Sequence, residues 1–392
     1  MAELQHNGSL GIMISELGSP RLGEDGPPAM PEDSFCRQLV RYGQSLGLFV
    51  YLFCATHVVA AQARSMKGYV LKQGEWQLDN CPLPDVLYDR SLPKSAAQHR
   101  DGRTALAELK KRKPYMLLNG SLPGKLEVYQ GLERDMELSP WLPATYRYEG
   151  AAGLGPLLQQ HPEGLFLKPA AGSHGKGAFR LVRNVDGWRV DGRDRQNRML
   201  AQTFAGWSEA GRWMDRFASG VTYIVQPYLD LTGKDGCSFD VRVLIQKDDS
   251  EKWAFTGAAV RTGQPGSVTS NLHGGGSAQS AIEALSIRYE GETAGRLLGR
   301  IRWISERAAA ALETRFGRLA ELGIDYGIEP DGRIWLLEAN AKPGRKSLDG
   351  DERAARLAVE RPIRYAMKLA TRKQTLFPLS RNQRRSIQEV HP

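Results

Sequence analysis

Short apolar runs alternate with stretches of helical periodicity over the first 120 residues. The apolar runs lie at 10–15, 49–53, 85–89 and 115–118, and the helical stretches at 33–45 and 103–112. This alternation predicts a small α/β lobe around a largely parallel sheet. Residues 68–79 are compatible with a hairpin insertion, and the Gly/Pro-rich residues 18–31 predict a long loop.

The pattern changes after this lobe. A helix is predicted over 125–136, and residues 164–182 follow the order strand, glycine loop, strand. Between 223 and 341, strands separated by short turns predict an antiparallel sheet, accompanied by one long amphipathic helix near 281–319. A last helix is predicted from about 351 to 368, followed by a polar tail.

These elements predict an α/β lobe joined to an α+β core. The predicted divisions are 1–120 for the N-terminal α/β lobe, 121–222 for a small lobe with the glycine loop, 223–350 for a large lobe with an antiparallel sheet, and 351–392 for a C-terminal helix and basic tail. The apolar content of 41 % and the charged content of 25 % are those of a folded globular chain.

The net charge of +9 is concentrated at the end of the chain. Residues 361–392 hold eight Lys/Arg and one Glu, which leaves only +2 for the rest of the chain. The sequence therefore predicts no domain-wide basic surface for nucleic acid, although the tail itself could contact nucleic acid, an acidic polymer or a membrane surface.

Cysteine usage and apolar runs bear on the cellular compartment. The four cysteines are widely spaced, with no CxxC pair: Cys36, Cys54, Cys81 and Cys237. They predict neither a zinc site nor a disulfide scaffold, and a reducing compartment fits them. The most apolar run, 46–63, falls short of the roughly 20 residues of a membrane span. The first residues lack the regions of a signal peptide, so we expect a cytoplasmic protein.

A glycine-rich loop is the first candidate for ligand binding. It comprises Gly172, Ser173, His174, Gly175, Lys176 and Gly177. Three glycines in six residues let backbone amides approach a phosphate, and Lys168 on the incoming strand adds a cation. The GxxxxGK[ST] spacing of a Walker A loop is missing. A simple glycine-rich hairpin is about as compatible with this segment alone.

A strand ending in LLEAN carries oxygen ligands. Strand alternation predicts that Leu336, Glu338 and Asn340 share one face and that Trp335, Leu337 and Ala339 share the other. Glu338 and Asn340 then point the same way, about 7 Å apart at Cα. Together with nucleotide phosphates, two such oxygen donors suit Mg²⁺, which keeps phosphate and water ligands.

The preceding strand adds a third oxygen ligand if the turn is short. With Asp331 and Gly332 as a two-residue turn, Asp325 lies opposite Glu338. Two facing carboxylates without a cation repel each other, which favours a metal site over the alternative of a carboxylate pair on an exposed rim.

Two further segments carry polar groups that chemistry could use. In the strand SFDVRVLIQ, Asp240 and Arg242 project away from the apolar face, so Arg242 could bind a phosphate or form an ion pair with Asp240. The loop 270–278 offers Asn271, His273 and three glycines. Just past the LLEAN strand, Arg345 and Lys346 could grip an anionic substrate or simply lie in a solvated turn.

Taken together, these motifs resemble the YheC/YheD family of endospore coat-associated ATP-grasp proteins. The motifs that carry the resemblance, in chain order, are LGIMIS, PDVLYDR, GKLEVYQGLERDMELSPWLPATYRY, LFLKPAAGSHGKG, YIVQPYLDL, DVRVLI, TSNLHGGGSA and GIDYGIEPDGRIWLLEANAKPGRKS. The resemblance covers about residues 10–370 and implies the ATP-grasp fold, with residues 1–120 as the N-terminal lobe that precedes it.

The resemblance also implies roles for individual residues. Lys125 and Lys168 would hold nucleotide phosphates, the loop 172–177 would close over them, and the strand residues Gln226, Pro227, Tyr228 and Leu229 would lie against adenine. Arg242 and Asn271 would face the phosphoryl-transfer centre. Asp325, Glu338 and Asn340 would bind one or two Mg²⁺, for which Mn²⁺ is a compatible substitute. Many ATP-grasp enzymes have Glu at the position of Gln226, which weakens the exact assignment of the adenine strand.

The activity implied by the resemblance is ATP-dependent activation of a carboxylate through an acyl phosphate, followed by attack of an amine or thiol. The implied partners are small-molecule or peptide acids and amines, with spore-coat components in addition, and the implied place is the cytoplasm of the mother cell. A protein nucleophile is not required, in keeping with the absence of a convincing Ser/His/Asp or Cys/His set. The alternative is a nucleotide-binding structural or assembly protein of the spore coat that does not turn over.

Overall fold

The computed structural model describes residues 7–17, 30–61, 64–93, 95–172, 175–233, 236–264, 277–348 and 350–376. Within these ranges, none of the helices has both the length and the apolar character needed to cross a membrane. The described elements form three six- or five-stranded sheets, each with helices packed against it.

The first sheet belongs to the N-terminal lobe. Its elements are β1 (Ser9–Met13), α1 (Asp33–Ser45), β2 (Phe49–Phe53), α2 (Ala55–Val59), β3 (Ser65–Lys72), β4 (Glu75–Pro82), β5 (Val86–Asp89), α3 (Ala96–Arg112) and β6 (Met116–Leu117). The strand order is β4-β3-β2-β1-β5-β6. Strands β2, β1, β5 and β6 are parallel, and β3 and β4 form the antiparallel hairpin that the sequence suggested near residues 68–79.

The second sheet is antiparallel and forms the small lobe. The elements of this stretch are α4 (Lys125–Glu133), β7 (Tyr146–Arg147), α5 (Gly155–Gln160), β8 (Leu165–Pro169), β9 (Phe179–Asn184), β10 (Gly187–Arg193), β11 (Met199–Phe204), α6 (Trp207–Ala218) and β12 (Tyr223–Pro227). The strand order is β11-β10-β9-β8-β12-β7. Because β12 pairs with β8, the boundary predicted between residues 222 and 223 is wrong: the strand from Tyr223 completes the small lobe.

The third sheet forms the large lobe. Its elements are β13 (Phe239–Lys247), β14 (Trp253–Thr262), β15 (Ser277–Ser280), α7 (Ala281–Arg288), α8 (Thr293–Phe316), β16 (Glu321–Ile328), β17 (Ile334–Asn340) and α9 (Glu352–Leu376). The strand order is β15-β14-β13-β16-β17, all antiparallel. The single helix predicted near 281–319 is two helices, because the chain turns at Gly291, whose φ is +61°.

Helices cover both faces of the third sheet. On one face, α8 and α4 pack over the apolar side of β13, β16 and β17 in a single core. On the other face, Ala354 and Ala358 of α9 contact Leu244 and Ala259. The same α9 also packs into the core of the N-terminal lobe, against α1 and the first sheet. The C-terminal helix therefore joins the N-terminal lobe to the large lobe.

Candidate active site

The β16–β17 hairpin places Asp325 opposite Glu338, as predicted, but through a different turn. The turn has three residues, Pro330 to Gly332, and Glu329 donates to the carbonyl of Arg333 across its ends at 2.9 Å. This turn shifts the pairing by one residue, and a bulge at Leu337 shifts it back. The two departures from the predicted register cancel, so the carboxylates face each other.

The bulge changes which side chains share a face of β17. Ile334, Leu336 and Ala339 lie in the core of the large lobe with the apolar side of β16. The prediction that Leu336 accompanies Glu338 and that Leu337 joins the core is therefore wrong. Leu337, Glu338 and Asn340 all line the cavity beside the sheet instead.

Two lysines from other lobes meet Glu338 at this cavity. Lys125, at the start of α4, places its Nζ 3.7 Å from Oε1 of Glu338 and donates to the carbonyl of Gly172 at 2.6 Å. Lys168, on β8, has its Nζ 3.5 Å from the carbonyl oxygen of Leu337. The fold thus gathers two cations, a carboxylate and an amide from three separate segments.

Lys168 is held in a site that disfavours its charge. Burial lowers the pKa of its ammonium group to about 8, helped by the charge of Lys125 and opposed by Glu338 and Asp325. The acidic side chains of the protein therefore do not fully neutralise the ammonium group of Lys168. An anionic ligand in the cavity would supply it.

Asp325 is the centre of a buried cluster of charges. Its carboxylate is bonded by the guanidinium of Arg242, with Nη2 to Oδ2 at 2.8 Å, and by Arg261, with Nη2 to Oδ2 at 3.1 Å. Asp240 binds Arg261 through two bonds of 2.6 and 2.7 Å. Burial opposes ionisation of Asp325, but the two arginines overcome it and lower its pKa to about 2. The ion pair between Asp240 and Arg242 that the strand left open is not formed.

The glycine loop adopts the backbone that its composition indicated. Gly172, Gly175 and Gly177 have φ values of +113°, +70° and +72°, a region that glycine enters without steric cost. Both Gly175 and Lys176 line the cavity. The predicted loop residues Ser173 and His174 lie outside the described residues.

Gly177 has a second reason to be glycine. The hydroxyl of Tyr223 donates to its carbonyl at 3.0 Å, and a Cβ at Gly177 would lie 2.7 Å from that hydroxyl. We therefore expect Gly177→Ala to lower the free energy of unfolding by about 2 kcal/mol, from backbone strain and the lost contact. Urea denaturation measures this. Gly153→Ala is the control, because a Cβ there meets no atom within 4 Å, and equal losses in both variants would contradict the assignment.

The residues of the predicted adenine strand line the same cavity. Pro227, Tyr228 and Leu229 follow Gln226 along its wall. The side-chain nitrogen of Gln226 already has a partner within the protein, since its Nε2 donates to Oγ1 of Thr145 at 2.7 Å. The amide oxygen of Gln226 is the group left for an adenine edge.

The cavity that these residues share has a volume of about 1040 Å³. One end is bounded by the small lobe and the glycine loop, the other by α1 and by Arg345 and Lys346. A volume at the upper end of the range for ligand sites is large enough for a nucleotide with space beside it.

Arg345 is anchored by a buried network between the N-terminal and large lobes. At its centre is Glu321, which is 1 % exposed. Its carboxylate accepts from the hydroxyl of Tyr88 at 2.5 Å, Arg90 at 2.9 Å, Arg345 at 2.5 Å and Gln246 at 3.1 Å. Burial opposes ionisation of Glu321, but Arg345 and Arg90 outweigh it and hold its pKa below the usual range.

We expect Glu321→Gln to destabilise the protein by about 3 kcal/mol at pH 7, because Arg345 and Arg90 lose a buried counter-charge. Since the pKa of Glu321 is lowered in the folded state, its contribution is present above the unfolded value and is lost as the pH falls through the folded one. The variant should therefore lose less stability than the wild type on acidification. Urea titrations at several pH values test this, with Glu306→Gln, an exposed helix pair with Arg302, as the near-neutral control.

The site contains two residues that sequence reasoning missed. Arg261 reaches Asp325 from β14, and only the register of the sheet could show this. Lys342 lines the cavity two residues after Asn340, so continuing the alternation of the LLEAN strand would have found it. Its Nζ binds Oδ2 of Asp89 at 2.7 Å. The predicted Asn271 and His273 lie outside the described residues.

The donor set has the chemistry that a magnesium nucleotide requires. Glu338 and Asn340 provide two oxygen ligands beside two lysines, and Mg²⁺ usually takes one or two carboxylates and completes its shell with phosphate and water. Among the described residues, no group of three or more His, Cys, Asp or Glu side chains is placed to hold a metal by itself. The carboxylate of Asp325 is occupied by its two arginines.

Comparison with known proteins places the fold in the ATP-grasp class. The solved structure of the D-cycloserine synthetase DcsG superposes with a TM-score of 0.53 at 14 % identity, over 93 % of this chain and all of that one. A mixed α/β architecture with antiparallel sheets in the ATP-grasp fold, as predicted, is confirmed.

Sequence comparison then defines the family. Residues 115–369 match the family described as "YheC/D like ATP-grasp", so the chain belongs to that family. The endospore coat-associated protein YheC of Bacillus subtilis (strain 168) is 28 % identical over 70 % of this chain and 74 % of its own length. The endospore coat-associated protein YheD of the same organism is 27 % identical over 81 % of this chain and 69 % of its own length.

Proposed function

We propose that this protein is an ATP- and Mg²⁺-dependent ligase that activates a carboxylate and transfers it to an amine or a thiol. The observation that carries the proposal is the convergence of Lys125, Lys168, Glu338 and Asn340 at one end of the large cavity, next to the glycine loop. Lysines and a glycine loop suit phosphates, and the carboxylate and amide oxygens suit the accompanying cation.

The proposed reaction needs no nucleophile from the protein. A substrate carboxylate oxygen attacks the γ-phosphorus of ATP, the bond to the bridging oxygen breaks, and ADP leaves. The amine or thiol then attacks the acyl carbon and displaces inorganic phosphate. Glu338 and Asn340 would hold Mg²⁺, which would supply charge neutralisation at the phosphates. Lys125 and Lys168 hold the phosphates in place, and catalysis consists of alignment and electrostatic stabilisation.

Arg242 and Asp325 have a defined part in this proposal. Arg242 lines the cavity while bonded to Asp325, which fixes the direction of its guanidinium. We assign Arg242 to the phosphates of the reacting group and keep Asp325 as a third oxygen ligand whose arginine contacts must yield when it binds a cation. Asn271 remains a predicted participant.

The names of the two relatives favour a second candidate. Both are described as endospore coat-associated. We accordingly propose an association with the spore coat, in the cytoplasm of the mother cell, with coat components as partners. In the alternative, this protein binds nucleotide as an assembly component and does not ligate. Lys168, Glu338 and Asn340 would serve nucleotide binding in either candidate, whereas Arg242, which lines the same cavity and is assigned to the reacting group, favours the ligase.

Calorimetric titration with a non-hydrolysable ATP analogue, with and without Mg²⁺, tests the nucleotide site first. Micromolar binding that depends on Mg²⁺ is expected. Pairs of carboxylic acids and amines are then screened for ADP release. Analogue binding without ADP release from any pair would favour the assembly role, and absence of analogue binding by folded protein would contradict both candidates.

A further inference from the structure

A second cavity reaches the same chemical centre from the side of the N-terminal lobe. Its volume is about 680 Å³, and helix α3 forms one wall with His99, Gly102 and Arg103. Its inner end is lined by Lys125, Lys168, Glu338, Asn340 and Lys342, which also line the larger cavity. The two cavities therefore meet at the residues proposed to bind phosphates and metal.

The residues that line the two cavities indicate different ligands for each. Pro227, Tyr228 and Leu229, three of the four residues assigned to adenine, line only the larger one, and Gln226 lines both. A nucleotide with its base on that strand and its phosphates at Lys168 extends from the larger cavity to the junction and leaves the smaller one free. The smaller cavity is thus available to a second substrate whose reacting group meets the γ-phosphate at the junction.

The charges along the smaller cavity indicate what it accepts. At the inner end, Lys342 is paired with Asp89 at 2.7 Å, and Lys125 lies 3.7 Å from Glu338. Arg103 is exposed, lines the wall formed by α3, and has no acidic partner among the residues that the structure describes. Arg103 is thus a cation without a counter-charge on helix α3, an element that lines the smaller cavity and not the larger one.

We infer that the smaller cavity binds the acid substrate and that this substrate is a carboxylic acid with a second anionic group. This inference rests on the proposed ligase function. The reacting carboxylate lies at the junction beside Lys168 and Lys342, and the second anionic group lies at Arg103. An arginine on a groove wall binds a carboxylate or phosphate group through two parallel hydrogen bonds.

Binding of defined acids tests the inference without knowledge of the natural substrate. Saturation-transfer NMR is run on the wild type with Mg²⁺ and the non-hydrolysable ATP analogue, using L-glutamate, N-acetyl-L-glutamate and L-glutamine as probes. We expect at least one of the two dicarboxylates to bind more tightly than glutamine by about tenfold. Arg103→Glu should weaken that binding by about tenfold and leave analogue binding unchanged.

A steric variant and two charge controls make the result specific. A Cβ at Gly102 lies 3.5 Å from the nearest atom, the Cε of Met13, which is an ordinary contact, so the backbone there accepts a side chain. Gly102→Leu places a larger side chain in the groove and should also weaken binding of the acid. Lys110→Glu reverses a charge on the same helix outside the cavity and should have no effect. Lys346→Glu reverses a charge in the wall of the larger cavity and tests the alternative that the acid binds there.

Three results would overturn the inference. In the first, none of the acids binds the wild type although the ATP analogue does. In the second, binding is unchanged in Arg103→Glu and Gly102→Leu. In the third, Lys346→Glu weakens the acid and Arg103→Glu does not, which would place the acid in the larger cavity. If the wild type does not bind the ATP analogue at all, the proposed function itself is contradicted, which is a different result from these three.

Discussion

Replacement of Glu338 and Asn340 together by alanine is expected to abolish Mg²⁺-dependent binding of ATP and to leave the fold intact. Both side chains line the cavity and neither belongs to the apolar core of the large lobe. The variant loses two of the three oxygen ligands that we propose for the cation. ADP release should fall by about 100-fold or more, the usual effect of removing a preorganised electrostatic contact from a reaction centre.

The physical reason is the balance of charge at the junction of the two cavities. Nucleotide phosphates bring several negative charges, and Lys125 and Lys168 alone cannot neutralise them. Without Glu338 and Asn340, the cation loses two of its three proposed protein ligands, and the third, Asp325, is bonded to two arginines and cannot fix its position alone. Calorimetry with the non-hydrolysable analogue should show a weaker affinity that no longer changes when Mg²⁺ is added.

A matched double variant separates the loss of the metal ligands from the general effect of replacing a glutamate and an asparagine. Glu149→Ala with Asn184→Ala removes the same two residue types from exposed positions of the small lobe, outside both cavities. It should bind and turn over like the wild type. Unchanged Mg²⁺ dependence in the Glu338→Ala, Asn340→Ala variant, with a native unfolding curve, would exclude these residues as the metal ligands.

The affinity for the ATP analogue is expected to fall by about tenfold as the pH rises from 7 to 9, because Lys168 loses its charge over this range. Burial, together with Lys125, lowers the pKa of this lysine to about 8, and Glu338 and Asp325 act in the opposite direction. Bound phosphates favour the charged form, so binding should be accompanied by proton uptake. Calorimetry in buffers of different ionisation enthalpy measures that uptake directly.

The same lowered pKa makes Lys168 a cost to the stability of the free protein. Between pH 8 and the ordinary lysine value, the unfolded chain binds more protons at this position than the folded one, so this contribution to stability rises with pH. Below pH 8 the folded state carries the full penalty of a buried cation. Lys168→Met should therefore raise the unfolding temperature at pH 7 while it weakens nucleotide binding.

The methionine variant also serves as the control for the pH effect. Its weaker affinity for the ATP analogue should be nearly constant from pH 7 to 9, since the titrating group is gone. Lys176→Met, at an exposed position of the glycine loop, should keep the wild-type pH dependence. If Lys168→Met retained the tenfold fall, the pH dependence would belong to another group and the assignment of Lys168 would be wrong.

The site was predictable where local chemistry decides it. Alternation in the strand ending at Asn340 indicated that Glu338 and Asn340 point the same way, and glycine spacing indicated the backbone of the loop at 172–177. Even the pairing of Asp325 with Glu338 followed, although through a turn and a bulge that cancel. The hydrophobic pattern failed at Leu336 and Leu337, since one extra residue in a strand exchanges its two faces.

The sequence could not show which side chains and strands pair with each other across a sheet. The strand with Asp240 and Arg242 left an ion pair between them open as one of two alternatives, but the register of three strands gives each a different partner, Arg261 and Asp325. The strand from Tyr223 was grouped with the wrong lobe for the same reason, because its pairing with β8 depends on contacts between distant segments.

The sequence by itself determined the class of protein, because the order and spacing of its motifs carry the ATP-grasp pattern and local periodicity follows from the side chains alone. Only the tertiary structure decided which charges meet. Lys125, Lys168 and Glu338 come from three segments far apart in the chain, and α9 joins two lobes. Distances and burial between such segments are set by the packing of whole elements, and they fix both the depressed pKa of Lys168 and the second cavity beside it.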